Sequence, residues 1–164
     1  MKYVSIILTH YSLVDDFGGI LAKEVKSTRS EMLRECMNSL EKNTDYPAEI
    51  IVIDNGGNPD DSDYLLGLAR RGIVNIYVRN KNNMHFAFGW KQGIALATGD
   101  WLCLTCNDLS FAPNWLSTTI APLEKYPQEK LIASPILTPE KTIAKYDRGT
   151  LDGYRLNSGG GSNC

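Results

Sequence analysis

Two aspartates, Asp54 and Asp108, each follow a short apolar run, and a third run ends in Thr9-His10-Tyr11. The runs are Glu49-Ile50-Ile51-Val52-Ile53 before Asp54-Asn55-Gly56-Gly57, Trp101-Leu102-Cys103-Leu104-Thr105-Cys106 before Asn107-Asp108, and Tyr3-Val4-Ser5-Ile6-Ile7-Leu8 before Thr9. Continuous β-branched and apolar stretches read as buried parallel strands. Open parallel sheets bind ligands outside the carboxyl ends of their strands. Three strands that each deliver carboxylate, amide, hydroxyl or phenol groups at that end therefore describe a site for a polar ligand. The residue types alone leave a second reading open, because Asp after a strand commonly forms a turn or caps a helix.

Other chemistry-bearing patterns carry less. Cys103-x-x-Cys106 has the spacing of a metal or redox pair, but it lies inside a predicted strand, where residues three apart point to opposite faces. No second cysteine pair completes a zinc site, and the four cysteines (Cys36, Cys103, Cys106, Cys164) read as reduced. Asp60-Asp61-x-Asp63 reads as a helix N-terminus, where negative charge is favourable, and lacks calcium-loop spacing. His10 has no partner at ligand spacing and reads as a satisfied, half-buried residue. Phe86 and Trp90 at helical spacing, like Trp101 and Trp115, read as core packing.

The elements that must position these residues alternate between strand and helix. After the first strand, residues 11–27 show no sustained period. Thr28-x-x-Glu31 is a capping box opening a helix whose Met32, Leu33, Cys36, Met37 and Leu40 share one face. Asn43-Thr44-Asp45-Tyr46-Pro47 stops it before the second strand. Turn residues 55–61 lead to a helix bearing Leu65, Leu66, Leu68 and Ala69, and a third strand spans Ile73–Val78. The next helix carries Phe86, Trp90, Ile94 and Ala97 on one side, and Gly99-Asp100 turns the chain into the fourth strand. Pro113 suits the first turn of another helix, and Leu131–Ile136 reads as a fifth strand at a sheet edge. From Lys141 the chain is polar and Gly-rich. The pattern predicts one α/β domain over residues 1–164: three layers, α/β/α, around a mostly parallel sheet.

Composition is that of a globular protein, with 43% hydrophobic and 22% charged residues. A net charge of −2 and a pI near 5.7, with no basic run, exclude a nucleic-acid binder that relies on a basic surface. The chain shows no membrane segment and no signal-peptide pattern, which makes a cytoplasmic protein the expectation.

With the elements placed, the chain resembles the family 2 glycosyltransferases, enzymes of the GT-A fold that use nucleotide-sugar donors. Val4-Ser5-Ile6-Ile7-Leu8-Thr9-His10-Tyr11 resembles the family's first strand with its T-x-Y ending. Arg34-Glu35-Cys36-Met37-Asn38-Ser39-Leu40 is similar to its L-x-x-C-L-x-S-L helix, and Glu49–Gly57 to E-I-I-V-V-D-N-G-S. Residues Asn83–Asp100 resemble N-x-G-F-A-x-A-x-N-x-G-I-x-x-A-x-G. Thr105-Cys106-Asn107-Asp108 falls where the family carries D-x-D or N-x-D, followed by Pro113-Asn114-Trp115-Leu116.

The resemblance implies a nucleotide site made by Thr9, Tyr11, Asp54, Asn83, Lys91 and Asn107. Within it, Tyr11 would stack on the base and Asp54 would accept a hydrogen bond from the imide N–H of a uridine or thymidine donor. Asp108 would help hold Mg²⁺ or Mn²⁺ on the diphosphate, which would offset charge on the departing group. The implied reaction is inverting transfer from a UDP- or dTDP-sugar to a hydroxyl of a glycan, lipid or small-molecule acceptor. Three departures stand out: Cys106 replaces the first carboxylate of D-x-D, Lys91 the asparagine of N-x-G, and His85 a glycine. The family's acidic pair, one carboxylate of which deprotonates the acceptor, would lie beyond Cys164, so the chain reads as truncated before its acceptor half. Two rivals remain: a nucleotide-sugar-binding module without catalysis, and a sugar nucleotidyltransferase. The second is disfavoured by the absence of a Gly-rich basic loop after the first strand.

Overall fold

The computed structural model describes residues 2–12 and 28–126 and two short strands further on. The elements are β1 (Val4–His10), α1 (Arg29–Asn43), β2 (Ala48–Asp54), α2 (Pro59–Arg70), β3 (Ile76–Arg79), α3 (Phe86–Leu96), β4 (Trp101–Cys106), α4 (Trp115–Lys125), β5 (Leu137–Pro139) and β6 (Tyr154–Leu156). The chain divides into two compact units, Met1–Ser117 and Thr118–Cys164. The second contains the antiparallel pair β5–β6. The stretch 13–27, the strand expected at Leu131–Ile136 and most of the tail from Lys141 lie outside the described residues. No helix among the described residues is long and apolar enough to cross a membrane.

In the first unit the strands form a parallel sheet in the order β3-β2-β1-β4. Val4 pairs with Ala48 and Trp101, and the register runs on to His10 beside Asp54 and Thr9 beside Cys106. Every residue of β1 is buried, as a central strand with layers on both faces requires. His10 and Asp54 share one face and bond to α2 partners there, which places α2 on that side, with α1 joined to it through Arg34 and Asp61. Ser5, Ile7 and Thr9 face α3. The three-layer α/β/α expectation holds.

Local chemistry explains the helix ends. Thr28 and Glu31 form the reciprocal capping box: Glu31 N donates to Thr28 Oγ1 and Thr28 N to Glu31 Oε2. Leu33, Cys36, Met37 and Leu40 are buried, as the periodicity predicted, and Met32 lies at the margin. Asn58 caps α2 by accepting from Asp61 N, with Pro59 opening the helix. The third strand starts three residues later than expected. Leu68 O takes the N–H of both Ile73 and Val74, so the end of α2 uses the backbone that would have begun the strand. The helix after Pro113 starts at Trp115, with Asn114 at φ 60° ahead of it.

Helix α3 differs most from its expectation. Its inward face is Gly89 and Gly93, while Phe86 and Ile94 are exposed and Trp90 is half-buried. A Cβ at Gly89 would lie 2.7 Å from Thr9 Cγ2, and one at Gly93 would collide with Ile7 Cγ2. The helix therefore rests its backbone on β1. Of the stripe predicted as core, Trp90 and Ala97 pack partly buried against Ile7, Ile51 and Ile53, with Trp90 Nε1 donating to Thr105 O, while Phe86 and Ile94 stay outside.

Candidate functional site

The strand order creates the site. The connections run outward from β1 to β2 and β3, then return to the other side of β1 for β4. The crevice of an open parallel sheet lies outside the carboxyl ends of the strands where that direction reverses. Here those strands are β1 and β4. They deliver Thr9, His10 and Tyr11 from one side and Cys106, Asn107 and Asp108 from the other.

His10 joins the two strand ends. Its Nδ1 lies 3.0 Å from Asn107 Nδ2, and its Nε2 lies 3.2 Å from Ser12 Oγ and 3.3 Å from Asp61 Oδ2. The tautomer with its proton on Nε2 serves all three: Nδ1 accepts from the Asn107 amide and Nε2–H donates to Ser12 and Asp61. The ring is buried and packs against Gly57, where a Cβ would come within 2.9 Å of Nε2.

Asp61 anchors this assembly from the first turn of α2. Its carboxylate is fully buried and accepts from Ser12 Oγ (2.5 Å), Ser30 Oγ (2.8 Å), Asn58 Nδ2 (2.9 Å) and Arg34 Nη1 (2.9 Å). Burial alone would raise its pKa, but donation from His10, Ser12, Arg34 and Ser30 outweighs burial and holds the carboxyl far below the usual range. Sequence reasoning assigned Asp61 to a helix N-terminus, which is its position. Its convergence with Ser12, Ser30 and Arg34 has no signal in linear spacing.

Asp54 is also fully buried. Oδ1 accepts from Gly57 N at 2.7 Å, and Oδ2 from Ser62 Oγ at 2.5 Å and Tyr77 Oη at 2.9 Å, with Arg79 Nε at 3.7 Å. Burial, the Asp54 charge and donation to it push the Tyr77 phenol upward. Asp54 thus holds the turn after β2. That turn is built for contact: Gly56 has φ +82° and lies against the backbone of residues 80–82, and Gly57 lies against His10. Between them and β2, Asn55 bonds His10 O through its N–H, His85 O through Nδ2 and Asn80 Nδ2 through Oδ1.

The remaining predicted residues spread more widely. Thr9 is buried beneath Gly89, and Tyr11 is partly exposed just beyond β1. Asn83 is exposed and accepts from His85 N at 2.8 Å. Lys91 is exposed and, two residues from both Gly89 and Gly93, lies on the face of α3 turned away from β1. His85, at the position where the family pattern has glycine, has a positive φ, at φ 64° and ψ 157°. Asp108 is exposed on the turn after β4, yet enough protein surrounds its carboxyl for desolvation to raise its pKa.

Among the described residues no three His, Cys, Asp or Glu side chains converge as a metal cluster. Cys36 and Cys103 are free thiols, so the C-x-x-C pair does not close, and burial raises them to about 12 and about 11. Cys106 is disulfide-bonded, which corrects the expectation of an all-reduced chain at that position.

The family model described as glycosyl transferase family 2 matches residues 27–152, well over half of the chain. The chain belongs to glycosyl transferase family 2. The match begins after β1, so the Thr9 and Tyr11 correspondence rests on the strand-end motif alone. Solved structures of S. aureus TarS share the GT-A fold. TarS 1–349 superposes with a TM-score of 0.58 at 14% identity, covering 85% of this chain and 41% of that one. The same protein in complex with UDP gives a TM-score of 0.57 at 15% identity, covering 85% and 42%. Its complex with UDP-GlcNAc gives 0.55 at 15%, covering 85% and 41%. This chain thus spans about two fifths of their length. No curated protein sequence matches it.

Proposed function

We propose that this family 2 chain is the donor-binding portion of a glycosyltransferase that moves a sugar from a nucleoside-diphosphate donor to an acceptor hydroxyl. The observation that carries the reading is the meeting of Thr9, Tyr11, Asn107 and Asp108 at the β1/β4 switch point. The UDP and UDP-GlcNAc complexes of TarS support a uridine donor. In this reading Tyr11 stacks on the base and Thr9 lines the pocket beside it. Asp54, fully buried with its oxygens engaged by Gly57, Ser62 and Tyr77, holds the turn beneath the base rather than meeting its imide N–H. Asn83 shapes the approach to α3 by bonding His85 N. Lys91 reaches a phosphate only from the outer face of its helix.

The donor set fits a cation that arrives with the nucleotide. Mg²⁺ commonly takes one or two carboxylates and completes its shell with phosphate and water. Asp108 supplies the carboxylate; Cys106, buried and sulfur-bearing, supplies none. When bound, Mg²⁺ or Mn²⁺ would offset charge on the leaving diphosphate. Direct displacement would invert the anomeric centre, with alignment of donor and acceptor supplying much of the rate.

Thermal unfolding of the chain with UDP, dTDP and UDP-GlcNAc, each with and without Mn²⁺, tests the reading. Ligand at a hundred times its Kd stabilises by about 2.7 kcal/mol, a rise of about 5–10 °C at this size. The expected result is a Mn²⁺-dependent rise with UDP compounds that Asp108→Ala abolishes. No rise with any nucleotide overturns the reading. A rise indifferent to Mn²⁺ favours a binding module without catalysis, the reading to which Cys106 points.

A further inference from the structure

We infer that His10, held by Asp61, is a positioning residue that sets which atom of Asn107 faces a ligand. The inference rests on the donor-site reading above. Asn107 is buried at the end of β4, directly before Asp108, and its side chain can present either an N–H pair or a carbonyl oxygen. The choice is made behind it. In the neutral imidazole, Asp61 Oδ2 and Ser12 Oγ, both on the Nε2 side of His10, accept its one N–H, which leaves Nδ1 bare. Ser12 cannot be the donor to Nε2, because its own proton goes to Asp61 at 2.5 Å. A bare Nδ1 takes the Asn107 Nδ2–H at 3.0 Å. Among the described residues this is the only hydrogen bond of the Asn107 side chain, so Oδ1 is the atom left for a ligand.

The consequence is chemical. An amide N–H pair beside Asp108 would repel a cation, whereas a carbonyl oxygen is a hard neutral donor of the kind Mg²⁺ and Mn²⁺ accept. Cys106 removes the family's first carboxylate, and the Asp61–His10–Asn107 relay supplies a second oxygen next to Asp108. Partners that orient a ligand in this way typically change metal affinity by about 10–100-fold when removed.

Two substitutions separate the two ends of the imidazole. An asparagine places an acceptor near the Nδ1 position, and a glutamine places a donor near Nε2. Titration calorimetry of UDP with and without Mn²⁺ is expected to show His10→Asn retaining the Mn²⁺-dependent gain in affinity. His10→Gln and Asn107→Ala are each expected to lose that gain by at least tenfold. Retention of the gain by folded His10→Gln or by Asn107→Ala overturns the inference. Long-range ¹H–¹⁵N correlations of the unliganded wild-type histidine ring provide a readout that needs neither nucleotide nor a folded variant. Protonated Nε2 with bare Nδ1 supports the relay, and a proton on Nδ1 overturns it. If wild type binds no UDP, the donor-site reading fails, while the ring spectrum still decides the state of His10.

Discussion

Asp61 shows how much a buried carboxylate depends on its donors. Five groups from β1, the segment after it, α1 and the α2 cap converge on its two oxygens. Removing the charge strands Arg34 and leaves the hydroxyls of Ser12 and Ser30 without their acceptor, a loss of about 3–5 kcal/mol in Asp61→Ala. Its folded pKa is depressed, so its contribution is complete above the ordinary carboxylate value and is lost as pH falls below about 4. Urea unfolding is therefore expected to separate wild type from Asp61→Ala most widely at neutral pH and less near pH 3, where the unfolded carboxyl is protonated and the folded one is not. An equal gap at both values would exclude the ionised carboxylate as the source. The thiols give a second residue-scale test. With pKa values raised to about 12 and about 11 by burial, Cys36 and Cys103 hold almost no thiolate near neutrality. Peptide mapping after a thiol reagent should find both unlabelled in the native chain and labelled in urea. Rapid native labelling of Cys36 would contradict its buried placement.

At the scale of elements, α3 carries both the tightest contact and the clearest strain. Gly93→Ala puts a methyl into Ile7 Cγ2 and should destabilise by about 1–3 kcal/mol, whereas Gly67→Ala, where nothing lies within 4 Å, should not. Denaturant midpoints of the pair test whether the helix backbone rests on β1. At the other end, His85 stands at φ 64° and ψ 157°, a region nearly reserved for glycine, with no side-chain cap to the helix. His85→Gly is expected to stabilise by about 1–3 kcal/mol, offset in part by glycine's greater freedom when unfolded. The strain persists because His85 is held at both backbone atoms: its carbonyl accepts from Asn55 Nδ2 and Gly89 N, and its N–H bonds Asn83. A stability loss on this substitution would mean the imidazole makes a contribution larger than the strain.

At the scale of the molecule, the sheet has unequal flanks. Leu102 and Leu104 of β4 are 49% and 43% exposed, and Phe86 and Ile94 of α3 are exposed as well. Apolar side chains on an outer strand favour association, so sedimentation velocity should show concentration-dependent self-association that Leu104→Lys reduces. A monomer at every concentration would remove that expectation. Much of this architecture was legible in the chain itself. The strands β1 and β2 announced themselves as apolar runs because a strand buried on both faces has no polar side to alternate with, and β4 read the same way although its Leu102 and Leu104 face outward. The capping box at Thr28 was legible because its partners lie three residues apart. Periodicity failed for α3, since it ranks residues by hydrophobicity and cannot show that two glycines let a backbone approach more closely than any side chain could. It failed for His10 and Asp61 because most of their partners lie 27 to 97 residues away along the chain. Local order of side chains thus determined which segments became strands and helices and where polar groups left them. Only the tertiary structure decided which of those groups turn inward to hold one another and which remain for a ligand. That division depends on distances between strand ends, which exist only once the sheet has formed.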